Sequence, residues 1–214
     1  MVYKICNTKL ANAPAYLISS TSEKGTALVL HGYGSNKEEM LGCALAVAKA
    51  GFKVYVPDLP GHGEHKEKLT LPAIKKFVEG LKRTGFNVAV GHSLGARLVC
   101  LLSCSSLILL SPPLEAKFEG TKKDLLRTLR ARRVREEQYY KGLTDILNYL
   151  SEFKFNSDKK ILLLYSKNDL STVKEAAKKA KEKGVEVEVI AGVGHNDIIS
   201  AQAVLVKIES WLKE

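Results

Sequence analysis

Short apolar runs rich in β-branched residues alternate along the chain with longer stretches of helical period. Thr26–His31, Phe52–Pro57, Asn87–Gly91, Leu107–Ser111, Lys160–Ser166 and Val185–Ile190 read as strands, several of them continuously hydrophobic. A strand without a polar face is one covered on both sides, as in a parallel sheet between two helical layers. Val2–Cys6 and Ala15–Ser19 are weaker runs, expected as an antiparallel start at one edge. The helical stretches carry start and stop signals. Asn36-Lys-Glu-Glu39 opens one that runs to Lys49 and stops at Gly51. Pro72 suits the first turn of a second, running to about Arg83. A run Ala96–Cys104 forms another, Thr172-Val-Lys-Glu175 caps one ending at Gly184, and a last spans Asp197 to Trp211. Strand and helix in repeated alternation predict an α/β domain with helices on both faces of the sheet.

One stretch breaks the rhythm. Pro112–Asp158 holds no convincing strand, only helical patterns, and reads as an insertion inside one domain spanning 1–214. Within it, Lys122–Arg135 carries seven basic residues against one acid, with Leu125, Leu126 and Leu129 as an apolar stripe. That is the pattern of an amphipathic basic helix. The insertion as a whole is only +2, ten basic residues opposing eight acids.

At 214 residues and 45% hydrophobic content, the chain can bury a core without disulfides or metals. Its four cysteines form no C-x-x-C, and Cys100 and Cys104 are expected as buried small hydrophobes on one helix face. The net charge of +10 is spread along the sequence with no nucleic-acid-binding signature beside it. It reads as a lysine-rich solvated surface, so no nucleic acid is expected as partner. Met1-Val-Tyr-Lys4 lacks the features of a leader, and no apolar run approaches a membrane span. A cytoplasmic protein without stable membrane insertion is the expectation.

The chemistry concentrates in three places. Gly91-His92-Ser93-Leu94-Gly95 follows a strand directly and precedes a helical run. In this strand–turn–helix setting a G-x-S-x-G forces the serine into strained backbone geometry and stands its hydroxyl over a helix N-terminus. A serine hydroxyl is a poor nucleophile until a base accepts its proton. His195, in Gly192-Val-Gly-His-Asn-Asp197 after the last strand, is the candidate base. The imidazole in turn needs an acid to fix its tautomer and stabilise its cation. Asp169, just beyond the strongest apolar strand, fills that place; Glu115 is the fallback, and Asp197, at the start of the last helix, a weaker choice.

The order Ser93, Asp169, His195 resembles that of α/β-hydrolase-fold enzymes, and the resemblance runs from about residue 15 to the C-terminus. His31-Gly-Tyr-Gly34 is similar to the family's H-G motif after the third strand, and Asp58-Leu-Pro-Gly-His-Gly63 to its D-x-x-G-x-G loop. Two departures stand out: Ser166 sits where the family often has glycine, and H-G-G-G is lacking. The resemblance implies a mostly parallel eight-stranded sheet, with 112–158 as a small helical cap. It implies an oxyanion hole from the backbone N–H groups of Tyr33 and Leu94, supported by His31, Gly32, Gly34, Gly91 and Gly95. His31 is expected to brace its loop rather than react, and His62 and His65 to serve packing or the surface. A small-molecule ester is the implied substrate, with no metal or cofactor. Small esterases, monoacylglycerol-lipase-like and serine-aminopeptidase-like enzymes share these motifs. Thioester, peptide and carbon–carbon hydrolysis would use the same triad, and a non-catalytic ligand-binding member of the fold is a further alternative.

Overall fold

The computed structural model describes residues 2–114, 131–150, 153–155 and 158–214. Eight strands form one sheet: β1 (Lys4–Leu10), β2 (Ala13–Ser19), β3 (Thr26–Leu30), β4 (Lys53–Pro57), β5 (Val88–His92), β6 (Ser106–Leu110), β7 (Lys160–Ser166) and β8 (Glu186–Ile190). Their order across the sheet is β1-β2-β4-β3-β5-β6-β7-β8. β2 pairs antiparallel with both β1 and β4, and every other pairing is parallel. The expected sheet is therefore present, with its antiparallel start at one edge. The described helices are α1 (Leu41–Lys49), α2 (Leu71–Lys82), α3 (Leu94–Val99), α4 (Lys141–Tyr149), α5 (Ser171–Glu182) and α6 (Gln202–Trp211).

The continuous apolar runs have the cause their composition suggested. Leu28, Leu30, Leu107, Leu109, Ile161 and Leu163 point into one core, shared with Ile74, Phe77 and Leu81 of α2 and Ala176, Ala177 and Ala180 of α5. The alternate residues Ala27, Val29, Ile108, Leu110, Leu162 and Leu164 point into a second core, beneath α1 and Val204, Ile208 and Trp211 of α6. Each leucine so buried contributes roughly 1.5–3 kcal/mol of transfer free energy. Both faces are thus occupied, leaving only the edges and the strand ends for function.

The element ends differ from their expected forms in several places. Asn36 Oδ1 does accept the Glu39 N–H at 3.1 Å, but the first turn, Glu38–Met40, is a 3-10 helix leading into α1. α2, by contrast, begins at Leu71 and so holds Pro72 in its first turn as expected, capped by Thr70, whose Oγ1 accepts the Ala73 N–H at 3.3 Å. α5 starts at Ser171 after an extended Leu170, so Thr172 lies inside its first turn and does not cap it. The last helix is broken. Asp197–Ser200 form a 3-10 turn that buries Ile198 and Ile199, and Ala201 is extended before α6 begins. A 3-10 turn lets two successive isoleucines reach the core, after which α6 resumes the spacing of Val204, Ile208 and Trp211. α3 is shorter than the run Ala96–Cys104. It ends at Val99, with Cys100 as its C-cap, and the Leu101 and Leu102 N–H groups beyond reach back only three residues. Cys100 and Cys104 therefore do not share a helix face. Burial still pushes the Cys100 thiol up to about 12 and the Cys104 thiol to about 11, so both stay protonated. Of the expected basic helix Lys122–Arg135, residues 122–130 lie outside the described residues, and Ala131–Arg133 form a single 3-10 turn.

The D-x-x-G-x-G loop is anchored by a buried lysine. Lys37, 1% exposed, places Nζ 2.9 Å from Asp58 Oδ2, 2.7 Å from Glu64 Oε2 and 2.9 Å from Glu38 Oε1. Burial works against its charge, but the three carboxylates outweigh that and raise its pKa. Asp58 accepts the N–H groups of Lys37 and Glu64 as well, each at 2.9 Å. This pair holds the loops after β3 and β4 side by side, at the carboxyl edge of the sheet.

Candidate active site

In an open parallel sheet, the crevice for ligands opens where neighbouring strands send their connections in opposite directions. Here that point lies between β3, whose chain continues to β4, and β5, whose chain continues to β6. Leu30 of β3 is paired with Gly91 of β5, so the His31–Gly34 turn and Ser93 leave the sheet side by side. Were Gly32 to carry a Cβ, it would lie 3.1 Å from Ser93 Cβ.

Ser93 sits at φ 50°, ψ −114°, the strained conformation expected of the turn. The flanking glycines are demanded by close approach. A Cβ on Gly91 would come within 2.5 Å of Ala96 N, and one on Gly95 within 2.5 Å of the His31 carbonyl oxygen. Strand, turn and helix can pack this tightly only without those two side chains. Ser93 N–H is fixed by the Leu110 carbonyl at 2.9 Å, and its carbonyl accepts the Arg97 N–H at 3.2 Å. Leu94 opens α3, where its N–H has no acceptor within the helix. The Gly32 carbonyl accepts the Ser35 N–H at 3.3 Å, closing a turn with Gly34 at φ 73°.

The three residues predicted from chain order meet in space. Ser93 Oγ lies 3.1 Å from His195 Nε2, and His195 Nδ1 lies 2.6 Å from Asp169 Oδ1. All three are buried to at least nine-tenths. The order of contacts requires Nδ1–H to donate to the carboxylate, leaving Nε2 to accept the serine proton. Asp169 Oδ2 also accepts the Ser111 hydroxyl at 2.5 Å and the Ser166 N–H at 3.2 Å, and Oδ1 accepts the Leu170 N–H at 2.9 Å. Burial raises the carboxyl's pKa, but the hydrogen bonds from His195, Ser111 and Leu170 outweigh it and hold it below the ordinary carboxylate value. It is an anion at neutral pH. Of the alternatives, Glu115 lies outside the described residues, and Asp197 opens the 3-10 turn with its N–H on the Gly194 carbonyl at 3.2 Å.

Three supporting residues were not marked by the motif pattern. Ser111 follows β6 directly, at φ 48°, and donates to the far oxygen of Asp169. Ser166, at the family's glycine position, donates its hydroxyl to the Val193 carbonyl at 2.5 Å and so ties the acid loop to the histidine loop. His92 donates from Nε2 to the His195 carbonyl at 2.9 Å, bridging the elbow to the same loop. Their common signal is a polar residue at the carboxyl end of an otherwise apolar strand.

The remaining histidines, His31, His62 and His65, are packed in the loops after β3 and β4. His31 accepts the Leu59 N–H at Nε2 (2.9 Å) and donates from Nδ1 to the Gly32 carbonyl (2.8 Å), joining the loops after β3 and β4. His62 is fully buried beside it, with ring centroids 5.1 Å apart, and His65 is nearly so. Burial lowers His31 to about 4, and burial with a neighbouring histidine lowers His62 and His92 to about 3, from 6.5. In the unfolded chain these rings take up protons near pH 6.5, while in the fold they stay neutral. Stability therefore falls as pH drops below about 6.5, by about 1.4 kcal/mol per pH unit for each histidine. Against an ordinary stability of roughly 5–15 kcal/mol, three such groups should weaken the fold markedly as the pH falls towards 4. Urea titrations from pH 7.5 to 4.5 should show the midpoint falling steeply; a level midpoint would contradict buried neutral histidines.

Among the described residues no group of His, Cys, Asp and Glu is arranged to hold a metal ion. No described helix is long and apolar enough to cross a membrane.

Comparison with known proteins agrees with this geometry. The Mycoplasma pneumoniae protein named "Putative esterase/lipase 2" is 25% identical over 79% of this chain and 81% of its own length. Among solved structures, an esterase/lipase from an uncultured bacterium superposes with a TM-score of 0.65 at 16% identity, covering 99% of this chain and 84% of that one. The thioesterase domain from the curacin biosynthetic pathway gives 0.61 at 18% identity, covering 98% and 100%. At such identities the two structures speak for the fold. Residues 27–153 match the Alpha/beta hydrolase family, a span that includes Ser93 and stops short of Asp169 and His195. With that match over more than half its length, and the eight-stranded, mostly parallel sheet, the chain belongs to the alpha/beta hydrolase family.

Proposed function

We propose that this protein is a serine hydrolase that cleaves carboxylic esters through an acyl-Ser93 intermediate. The observation that carries the reading is the unbroken line Ser93 Oγ, His195 Nε2, His195 Nδ1, Asp169 Oδ1, with steps of 3.1 and 2.6 Å across the ring. Ser93 Oγ attacks the ester carbonyl as His195 Nε2 takes its proton, and Asp169 stabilises the resulting imidazolium. Charge develops on the former carbonyl oxygen, where the Tyr33 and Leu94 N–H groups receive it; losing one such donor costs about 100–1000-fold. The tetrahedral intermediate collapses as His195 passes the proton to the leaving alkoxide. Water then attacks the acyl-serine, giving its proton to His195, and a second collapse returns the proton to Ser93.

Residues 112–158, placed between β6 and β7, are the cap in this reading and shape the acyl pocket. The four cysteines are free thiols, which supports work in the cytoplasm, where thiols stay reduced. The relative from Mycoplasma pneumoniae, by its name, favours ester over other acyl substrates.

A panel of p-nitrophenyl esters from acetate to octanoate, with matched acyl thioesters and anilides, tests the assignment. The expected result is saturable ester turnover, fastest at one chain length and far above the anilides. Thioester turnover exceeding the matched ester by tenfold or more would move the substrate class while keeping the triad.

A further inference from the structure

Tyr33 is joined to a residue 103 positions away. Its hydroxyl donates to Glu136 Oε1, and the ring is 4% exposed. The same carboxylate accepts the Tyr140 N–H at Oε1 (2.8 Å) and the Gly142 N–H at Oε2 (3.1 Å). It thereby caps the turn before α4, in which Tyr140 is left-handed at φ 65°, its ring 5.9 Å from that of Tyr33. The neighbouring residue binds the segment to the body of the domain. Arg135 N–H donates to the Gly61 carbonyl at 2.8 Å, and its carbonyl accepts the Leu69 N–H at 2.7 Å. Its guanidinium reaches the carbonyls of His62 and Gly63, each at 3.0 Å, and that of His65. Arg133 pairs with Glu39 at 2.7 Å. Glu136 thus stands on a fixed base with its carboxylate on the Tyr33 hydroxyl of the His31–Gly34 turn.

We propose that Glu136 is a positioning residue for hydrolysis: through the Tyr33 hydroxyl it fixes the plane of the Tyr33 peptide, whose N–H receives the developing oxyanion. This rests on the serine-hydrolase reading of Ser93. Two geometric facts motivate it. The turn lies against the nucleophile, with the Cβ position of Gly32 3.1 Å from Ser93 Cβ, so a small rotation of the Tyr33 peptide re-aims its N–H. The Gly32 carbonyl at the other end of that peptide is held by His31 Nδ1–H at 2.8 Å and by the Ser35 N–H at 3.3 Å, and the Tyr33 hydroxyl on Glu136 is the remaining hold, on the far side of the turn. The consequence is that the start of α4 and the oxyanion hole are one unit, so loosening residues 133–142 would lower the rate at Ser93.

Tyr33→Phe removes the hydroxyl and keeps the ring. Glu136→Ala removes both acceptor oxygens, and with them the partner of the Tyr33 hydroxyl. Each should lower kcat on p-nitrophenyl acetate by about 10–100-fold, the usual cost of a misplaced catalytic group, while KM changes little. The double variant should be no slower than the slower single one, because both changes break the same link. The acidic limb of the kcat/KM pH profile should stay in place, since the Ser93–His195–Asp169 line is untouched. A purely structural role predicts the reverse, a lower melting temperature with wild-type kcat in the folded fraction. Wild-type kcat in folded Tyr33→Phe, or multiplicative losses in the double variant, would overturn the proposal while leaving the hydrolase reading intact. Absence of turnover in the wild-type protein across the ester panel, with no covalent labelling of Ser93, would overturn both.

Discussion

Replacing Ser93 with alanine should remove ester turnover almost completely, lowering kcat by about 10⁴–10⁶-fold. The size follows from what the serine does. Without Oγ there is no acyl-enzyme, and what survives is direct attack by water helped by the oxyanion donors and by binding. His195 and Asp169 cannot compensate, because they act through the serine. The same site predicts a stability change of opposite sign. Ser93 holds φ 50°, ψ −114°, a conformation that costs a residue bearing a Cβ on the order of 1–3 kcal/mol. Ser93→Gly should therefore be as inactive as the alanine variant yet unfold at a higher urea concentration than wild type. Alanine keeps its Cβ and should gain nothing. Strain held by the fold for the sake of the nucleophile is the only term that separates the two variants in this direction. Equal midpoints for glycine and wild type would remove it.

Asp169→Asn should cost about 10⁴-fold in kcat, with KM near wild type. The environment of the carboxylate explains why an isosteric change is so damaging. Both oxygens are claimed by donors: Oδ1 by His195 Nδ1–H and the Leu170 N–H, Oδ2 by Ser111 Oγ–H and the Ser166 N–H. An asparagine must turn its N–H₂ towards one of these sets. Facing His195, it stabilises the tautomer with the proton on Nε2, which cannot accept a proton from Ser93. Facing Ser111 and Ser166, it sets N–H against the Ser166 N–H. In either orientation the negative charge that stabilises the imidazolium is gone. An unsatisfied buried donor costs about 1–3 kcal/mol, so the variant should also lose stability by that order. Steady-state kinetics beside urea unfolding would separate the two effects. A near-normal rate would mean that another carboxylate serves His195, and Glu115 would be the residue to test next.

The parts of this molecule legible in its sequence are those that leave a local pattern. Leu107 to Leu110 are all apolar because alternate residues enter two different cores. Gly91-His92-Ser93-Leu94-Gly95 is a motif because strand and helix touch at both glycines. His195 and Asp169 were placed by rank order, since the loops after parallel strands gather at one edge. Links between distant residues leave no such trace. Ser111 and Asp169 are 58 positions apart, and Tyr33 and Glu136 are 103 apart; neither partner stands in a period that would reveal the other. Helix ends failed for a different reason. A capping side chain contributes only ~1 kcal/mol, less than the packing of one buried apolar residue. α5 therefore starts where Val173 and Ala176 can reach the core, and Thr172 is carried past the cap position. The final helix breaks at Ala201 because Ile198 and Ile199 must both be buried behind the loop that presents His195.

The central claim is that Ser93 is a nucleophile activated by His195, and covalent chemistry tests it most directly. A fluorophosphonate probe phosphonylates a serine only when the hydroxyl is activated and the phosphoryl oxygen is received by an oxyanion hole. Intact-mass measurement of the labelled wild-type protein should show one adduct, and peptide mapping should place it on Ser93. His195→Ala should label orders of magnitude more slowly, and Ser93→Ala not at all. Folded wild-type protein that remains unlabelled, or an adduct carried on a different serine, would contradict the account.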